Sequence, residues 1–375
     1  MTLEYVATCL FGLESLLGEE IENLGYQRTE TMDGRISFTG DENAVARCSI
    51  NLRFAERLYI KVGEFYAKTF DELFEGTKGL AWEEWIGKND EFPVRGHSIR
   101  SDLFSIPDCQ KIIKKAVATR LSQSYGVSWL EERGVKYQID FFIFKNRATL
   151  MIDTTGVPLH KRGYRPKANE APIRETLACA LAKLSRPRED VILWDPFCGS
   201  GTIAIEGAML MTNTPPGLNR AYIAQTFPQF KKEIWTDAIE EARSKIIKDS
   251  PFVAYASDID PECVRIAEDN AKRAGVFKNM KIFCQDALTI KTEGRRGTIV
   301  CNPPYGERLL SMKDTEELYR RMGEHFKSLD RWQMYIITSH EEFCKLFGRR
   351  ADKVRKLYNG MIPCYFYQFF KNDKK

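Results

Sequence analysis

From residue 173 onward, short apolar runs alternate with helical stretches, and this rhythm commits the second half of the chain to a mostly parallel α/β sheet. Strands are expected at 191–194, 253–257, 281–284, 298–301 and 333–338, and helices at 173–184, 201–211, 261–274 and 315–328. A last, strongly aromatic strand is expected at 362–370, while residues 213–250 read as an insertion between the first and second units. Open α/β sheets bind their ligands beyond the carboxyl ends of the strands, so the residues that follow each strand carry the chemistry.

The first half has a different grain. Residues 1–65 read as a small βαβαβ module, with Gly12 and Gly25 punctuating its first helix. Residues 66–155 form a second segment, with a strand at 93–104, a helix at 107–125 that has Pro107 in its first turn, and a hairpin turning at Lys145-Asn146-Arg147. Residues 156–172 are broken by Gly156, Pro158, Gly163, Pro166 and Pro172 and read as an interdomain linker. It carries Lys161, Arg162, Arg165 and Lys167 against one acid, Glu170.

A length of 375 residues suits two or three domains, and 43% hydrophobic with 29% charged residues describes an ordinary globular chain rather than a disordered one. The net charge of +4 is too small to indicate a nucleic-acid partner by itself. None of the ten cysteines stands at C-x-x-C spacing, which suggests reduced thiols. The first residues lack a signal-peptide pattern, and no window approaches the ~18 uninterrupted apolar residues of a membrane helix. A cytoplasmic protein without a membrane partner is expected.

After the first strand comes Asp195-Pro196-Phe197-Cys198-Gly199-Ser200-Gly201-Thr202. Its glycines let backbone approach a ligand at a helix N-terminus. Ala204 stands where a dinucleotide-binding loop would carry its third glycine, and an acid ends the strand. That combination suits a ligand bearing an ammonium, such as the methionyl part of S-adenosylmethionine. The second strand ends in Ser257-Asp258-Ile259-Asp260. Asp258 is placed to accept from ribose hydroxyls, and Asp260, just before Pro261, to cap the next helix. Asp286 and Ala287 follow the third strand; Asp286 is a candidate acceptor for an adenine amine, a reading that the residue alone leaves open.

The fourth strand ends in Asn302-Pro303-Pro304-Tyr305. An exocyclic amine is a poor nucleophile because its lone pair is delocalised into the ring. An Asn side-chain oxygen and the carbonyl of Pro303 can both accept from such an NH₂ group and draw its nitrogen toward tetrahedral geometry. The prolines hold the backbone for this, and Tyr305 can stack on the base. Catalysis then consists of orientation and hydrogen bonding, without a strong general base. The four histidines show no metal spacing, so no metal is expected. Cys198 and Cys301 read as packing residues, although a nucleophilic cysteine would suit C5 methylation of pyrimidines. Tyr164 lies among the cations of 161–167, and interleaved basic and aromatic groups favour RNA contact over a merely solvated linker.

Taken in order, the glycine loop, Asp258, Asp286 and Asn302 to Tyr305 resemble the class I methyltransferases that act on base amines. Within that group, three stretches resemble the bacterial large-subunit ribosomal RNA guanine-N2 methyltransferases: His160-Lys161-Arg162-Gly163-Tyr164-Arg165, Ala171-Pro172-Ile173-Arg174-Glu175-Thr176-Leu177, and Pro216-Gly217-Leu218-Asn219-Arg220. The resemblance implies a Rossmann-like methyltransferase domain over 173–375, preceded by a ferredoxin-like module and a THUMP RNA-binding domain. It implies Asp195, Gly199 and Gly201 at the methionyl end of the cofactor, Asp258 at the ribose and Asp286 at the adenine amine, with Phe197, Thr202, Ile259 and Ala287 also binding the cofactor. Asn302 to Tyr305 would lie at the target amine. The partner implied is RNA, either 23S rRNA or a large-subunit assembly intermediate. A chain ending at residue 375 carries one methyltransferase domain, so a single reaction is expected. The rival readings are methylation of a tRNA guanine, of adenine N6 or cytosine N4 in DNA, and an inactive RNA-binding assembly factor. Guanine must leave its stack for N2 to be reached, so a flipped or single-stranded target is expected.

Overall fold

The computed structural model describes residues 2–166, 173–305 and 311–370. The first half runs β1 (Leu3–Cys9), α1 (Glu14–Asn23), β2 (Gln27–Met32), β3 (Arg35–Gly40), α2 (Asn43–Asn51), β4 (Ala55–Tyr66), α3 (Phe70–Lys78), β5 (Val94–Ile99), α4 (Ile106–Tyr125), β6 (Ile139–Phe144) and β7 (Arg147–Asp153). Strand order is β2-β3-β1-β4-β7-β6-β5, so the two N-terminal segments share one continuous sheet. The join is the antiparallel pairing of β4 with β7 from Tyr59↔Asp153 to Tyr66↔Arg147. Alternate residues such as Tyr5, Phe38, Leu58, Leu150 and Phe141 enter the main core with Leu17 of α1, Cys48 of α2 and Ile113 of α4. The other alternation leaves Val6, Tyr59 and Met151 as a separate small cluster.

The second half runs α5 (Glu175–Leu184), β8 (Ile192–Asp195), α6 (Thr202–Met211), α7 (Lys232–Ser244), β9 (Ala254–Asp258), α8 (Pro261–Ala274), β10 (Met280–Cys284), β11 (Gly297–Cys301), α9 (Met312–Phe326), β12 (Trp332–Thr338), α10 (Phe343–Phe347), β13 (Lys353–Asn359) and β14 (Ile362–Phe369). Its strand order is β10-β9-β8-β11-β12-β14-β13. Pairing is parallel from β10 to β12, and the closing β13–β14 hairpin pairs antiparallel to β12. The chain winds from β8 outward through β9 and β10, then returns to place β11 on the other side of β8. That reversal opens a crevice beyond the ends of β8 and β11, the position where doubly wound sheets bind ligands.

Residues 213–250 lie between α6 and β9, and within them α7 packs on α2, where Arg47 makes a bidentate pair with Glu241 at 2.8 and 2.9 Å. The linker expectation changes. The described part of the expected linker, 156–166, is built into the core rather than strung between domains. Leu159 and Tyr164 are each 2% exposed, and Gly217 donates its amide to the Ile50 carbonyl across the same junction. Among the described residues, no helix is long and apolar enough to cross a membrane.

Candidate active site

Four strand ends meet around a cavity of about 600 Å³. Asp195 closes β8, Asp258 closes β9, Asp286 and Ala287 follow β10, and Asn302 follows β11. All five line the cavity, with Phe197, Gly199, Thr202 and Ile259. Gly201 stands behind its wall at φ +81°, as the N-cap of α6. A Cβ there would lie 2.9 Å from the Ala267 Cβ on α8, so the turn needs glycine for both conformation and space.

The acids differ in surroundings. Asp195 is 1% exposed; it accepts the Phe197 amide at 3.2 Å, and no cation pairs with it among the described residues. Burial drives its carboxyl well above the ordinary range, and the nearby Asp258 charge pushes the same way. Asp258 accepts the Gly199 amide at 2.9 Å and the Asp260 amide at 3.1 Å, one at each oxygen. Each oxygen keeps a lone pair for a ligand hydroxyl. Asp260 caps α8 by accepting the Glu262 amide at 2.9 Å. Asp286 accepts the Leu288 amide at 2.9 Å through Oδ1. It thus makes a turn bond and lines the cavity at once.

At β11 the decisive atom is Asn302 Oδ1, which is shielded from solvent and has no hydrogen-bond partner among the described residues. A buried acceptor in that condition costs about 1–3 kcal/mol, a cost that a donor reaching it would remove. The Pro304 carbonyl accepts the Tyr319 hydroxyl at 2.9 Å, and that hydroxyl also bonds Thr338 at 2.9 Å. Tyr319, fully buried on α9, therefore clamps the proline turn. Pro303 is buried without lining the cavity. The Tyr305 hydroxyl receives the Asn359 amide at 3.2 Å, and burial raises its phenol to about 12, which rules it out as a base near neutrality. Sequence reasoning missed Tyr319, and also Leu318 and Arg321, which line the cavity from α9. A helical i, i+3 pair gives no signal that it faces a ligand rather than solvent.

The basic run requires a correction. Arg162 is 2% exposed; it donates to the carbonyls of Leu159 (2.8 Å) and Arg53, and pairs with the fully buried Glu206 at 3.6 Å. Tyr164 donates its hydroxyl to the same carboxylate at 3.0 Å. Arg165 pairs with Glu175 at 3.0 Å and donates to Thr202 Oγ1 at 2.9 Å and to the Ile173 carbonyl at 3.0 Å. These three side chains spend their donors inside the protein, so none is available to RNA as expected. Lys161 is exposed, and Lys167 lies outside the described residues.

A doubly wound sheet whose switch-point crevice offers a glycine turn, three strand-end acids and an Asn-Pro-Pro-Tyr turn defines a class I S-adenosylmethionine-dependent methyltransferase. The chain belongs to the family of RMKL-like methyltransferase domains, whose model matches residues 162–368. The RlmL ferredoxin-like domain matches 4–59 and the THUMP domain 67–153. YpsC of Bacillus subtilis (strain 168), provisionally named an RNA methyltransferase, is 42% identical over 97% of this chain and 95% of its own. The ribosomal RNA large subunit methyltransferase K/L of Psychromonas ingrahamii is 30% identical over 100% of this chain, which spans only 51% of that protein. The crystal structure of SMU.472, provisionally named a methyltransferase and complexed with SAH, superposes with a TM-score of 0.92 at 39% identity, covering 100% of this chain and 99% of the other.

Proposed function

We propose that the protein methylates the exocyclic N2 amine of a guanine in large-subunit ribosomal RNA. The unpaired, buried Asn302 Oδ1 carries this reading, because an amine is the donor that a lone acceptor at this crevice lacks. The Asp195 carboxyl would hold the cofactor's ammonium, Asp258 the ribose hydroxyls and Asp286 the adenine amine, with Phe197, Ile259 and Ala287 against its apolar parts. S-adenosylmethionine supplies an electrophilic methyl on sulfonium. Asn302 Oδ1 would accept one hydrogen of the target NH₂ and, although Pro303 does not line the cavity, its carbonyl would accept the other as the base seats, which localises the nitrogen lone pair and aims it. Tyr305 closes on the base. With the methyl donor bound, the amine so aimed would take the methyl group and release one proton to water. No strong base is needed, consistent with the absence of a histidine from the cavity wall among the described residues. The THUMP match supports RNA over DNA, and the K/L relative supports ribosomal RNA over transfer RNA.

The test is methyl transfer from labelled cofactor to total RNA and, in parallel, to genomic DNA from a strain lacking the gene. Label recovered as N2-methylguanosine in large-subunit RNA is expected. Label in transfer RNA keeps the chemistry and moves the substrate, whereas label in DNA as N6-methyladenine overturns the RNA reading. Asn302→Ala should lower kcat by at least about a hundredfold, the scale for removing one transition-state-stabilising group, with cofactor affinity nearly unchanged. Wild-type turnover in that variant would refute the amine-binding role.

A further inference from the structure

A second cavity, about 660 Å³, opens beside the first, between the segment 157–166 and residues 174–175 and 220–221. Lys161, Arg165, Arg174, Arg220 and His160 contribute to its wall, with Glu175 as its acid among the described residues. Their charges are unequally compensated. Arg165 is matched by Glu175, while Arg174 and His160 share the single carboxylate of Glu56 at 2.9 and 2.8 Å. Arg220 has no ion pair among the described residues. Its guanidinium donates to the carbonyls of Pro158 (2.7 Å), Lys161 (3.0 Å) and Val157, lies 5.0 Å over the Tyr222 ring, and leaves its buried Nε unpaired, so it offers the cavity an uncompensated charge more than free donors. Burial lowers its pKa, as expected of a cation held without a counterion. Lys161 is exposed, with no ion pair or side-chain hydrogen bond among the described residues.

Arg165 is the partition between the two cavities. It lines the cationic one, and its guanidinium bonds Thr202 and the Ile173 carbonyl, both belonging to residues that line the cofactor cavity. An anion seated beside Lys161 and Arg220 is thus one side chain away from the crevice.

We propose that this cavity binds a backbone phosphodiester of the RNA substrate next to the target nucleotide, with Lys161, Arg174 and Arg220 as its cations. The inference rests on an RNA substrate and adds the site where the strand is gripped. Guanidinium groups suit phosphate oxygens geometrically, and Lys161 contributes a mobile point charge at the rim. This assigns the electrostatic grip to residues that are close in space but scattered in sequence. It replaces the contiguous run, whose Arg162, Tyr164 and Arg165 are used internally.

The experiment measures binding of a large-subunit rRNA transcript to the full chain over a range of salt concentrations. It compares the wild type with Lys161→Glu and with Lys353→Glu, the same reversal at an exposed position on the edge strand β13. Loss of one phosphate contact should flatten the slope of log affinity against log salt by roughly 0.7–0.9. Lys161→Glu should do this and raise KM for RNA about tenfold, leaving kcat and cofactor affinity unchanged, while Lys353→Glu should match the wild type. Replacing chloride by inorganic phosphate at constant ionic strength should weaken wild-type binding more than that of Lys161→Glu. A Lys161→Glu slope equal to the wild type's, or an equal loss in Lys353→Glu, overturns the phosphate site while the RNA reading stands. Wild-type protein without salt-dependent RNA binding overturns both.

Discussion

Replacing Asp195 by Asn tests the electrostatics of the crevice most directly. The carboxyl is 1% exposed, has one backbone donor at 3.2 Å and faces the Asp258 charge without a cation among the described residues. Its folded-state pKa therefore stands well above the ordinary 3.8. Proton binding then favours the folded state at acid pH, and that stabilisation is lost as pH rises through the raised folded value. Asn has the same shape and no charge, so the cofactor-free variant should be at least as stable as the wild type near neutrality and should lack this pH dependence. Cofactor affinity should move the other way. A charge-assisted hydrogen bond contributes about 1.5–3 kcal/mol, so losing it should raise Kd for S-adenosylmethionine roughly 10- to 150-fold. Wild-type affinity should also tighten as pH rises and Asp195 ionises, a trend absent in Asp195→Asn. Urea unfolding at several pH values and titration calorimetry read both halves. Unchanged affinity together with an unchanged stability profile would refute both the buried-carboxylate account and the ammonium site.

Two further changes probe supports that lie outside the cavity. Tyr319→Phe removes the hydroxyl that holds the Pro304 carbonyl; it should cut kcat roughly tenfold, about 1.4 kcal/mol of barrier, while titration calorimetry shows an unchanged cofactor Kd. Arg162→Ala strands the buried Glu206 carboxylate and should cost about 3–5 kcal/mol in urea unfolding. At a salt concentration where that variant is fully folded, its RNA-binding salt slope should equal the wild type's, as befits a structural rather than an RNA-contacting arginine.

Much of the candidate crevice was legible in one dimension. Asp195, Asp258, Asp286 and Asn302 each follow a short apolar strand, and a doubly wound sheet gathers strand ends at one edge, so local pattern and global topology point to the same place. Other features were not legible for definite reasons. A charged strand such as β2 (QRTETM) lacks an apolar face to announce it, so the first module was read one strand short. The aromatic interleaving in His160 to Arg165 looked the same whether it faced water or the core. Its partners Glu206, Arg53 and Thr202 lie 37 to 109 residues away in sequence, and nothing local indicates that they converge.

By itself, the sequence determined the alternation of strands and helices, the order of groups along the crevice edge and the class of enzyme, an S-adenosylmethionine-dependent methyltransferase. All of these depend on short-range spacing and on the chemistry of single side chains. Tertiary structure decided which cations are free. Desolvation forces a buried guanidinium to find acceptors inside the protein, as Arg162 does with Glu206 and two carbonyls, while Lys161 one residue earlier stays exposed at the rim of a cavity. It also decided that the two N-terminal segments form one sheet and that the insertion docks on α2, because β4–β7 pairing and the Arg47–Glu241 contact join residues 81 to 194 positions apart. Contacts of that separation depend on how the whole chain packs, and no window of sequence contains both partners.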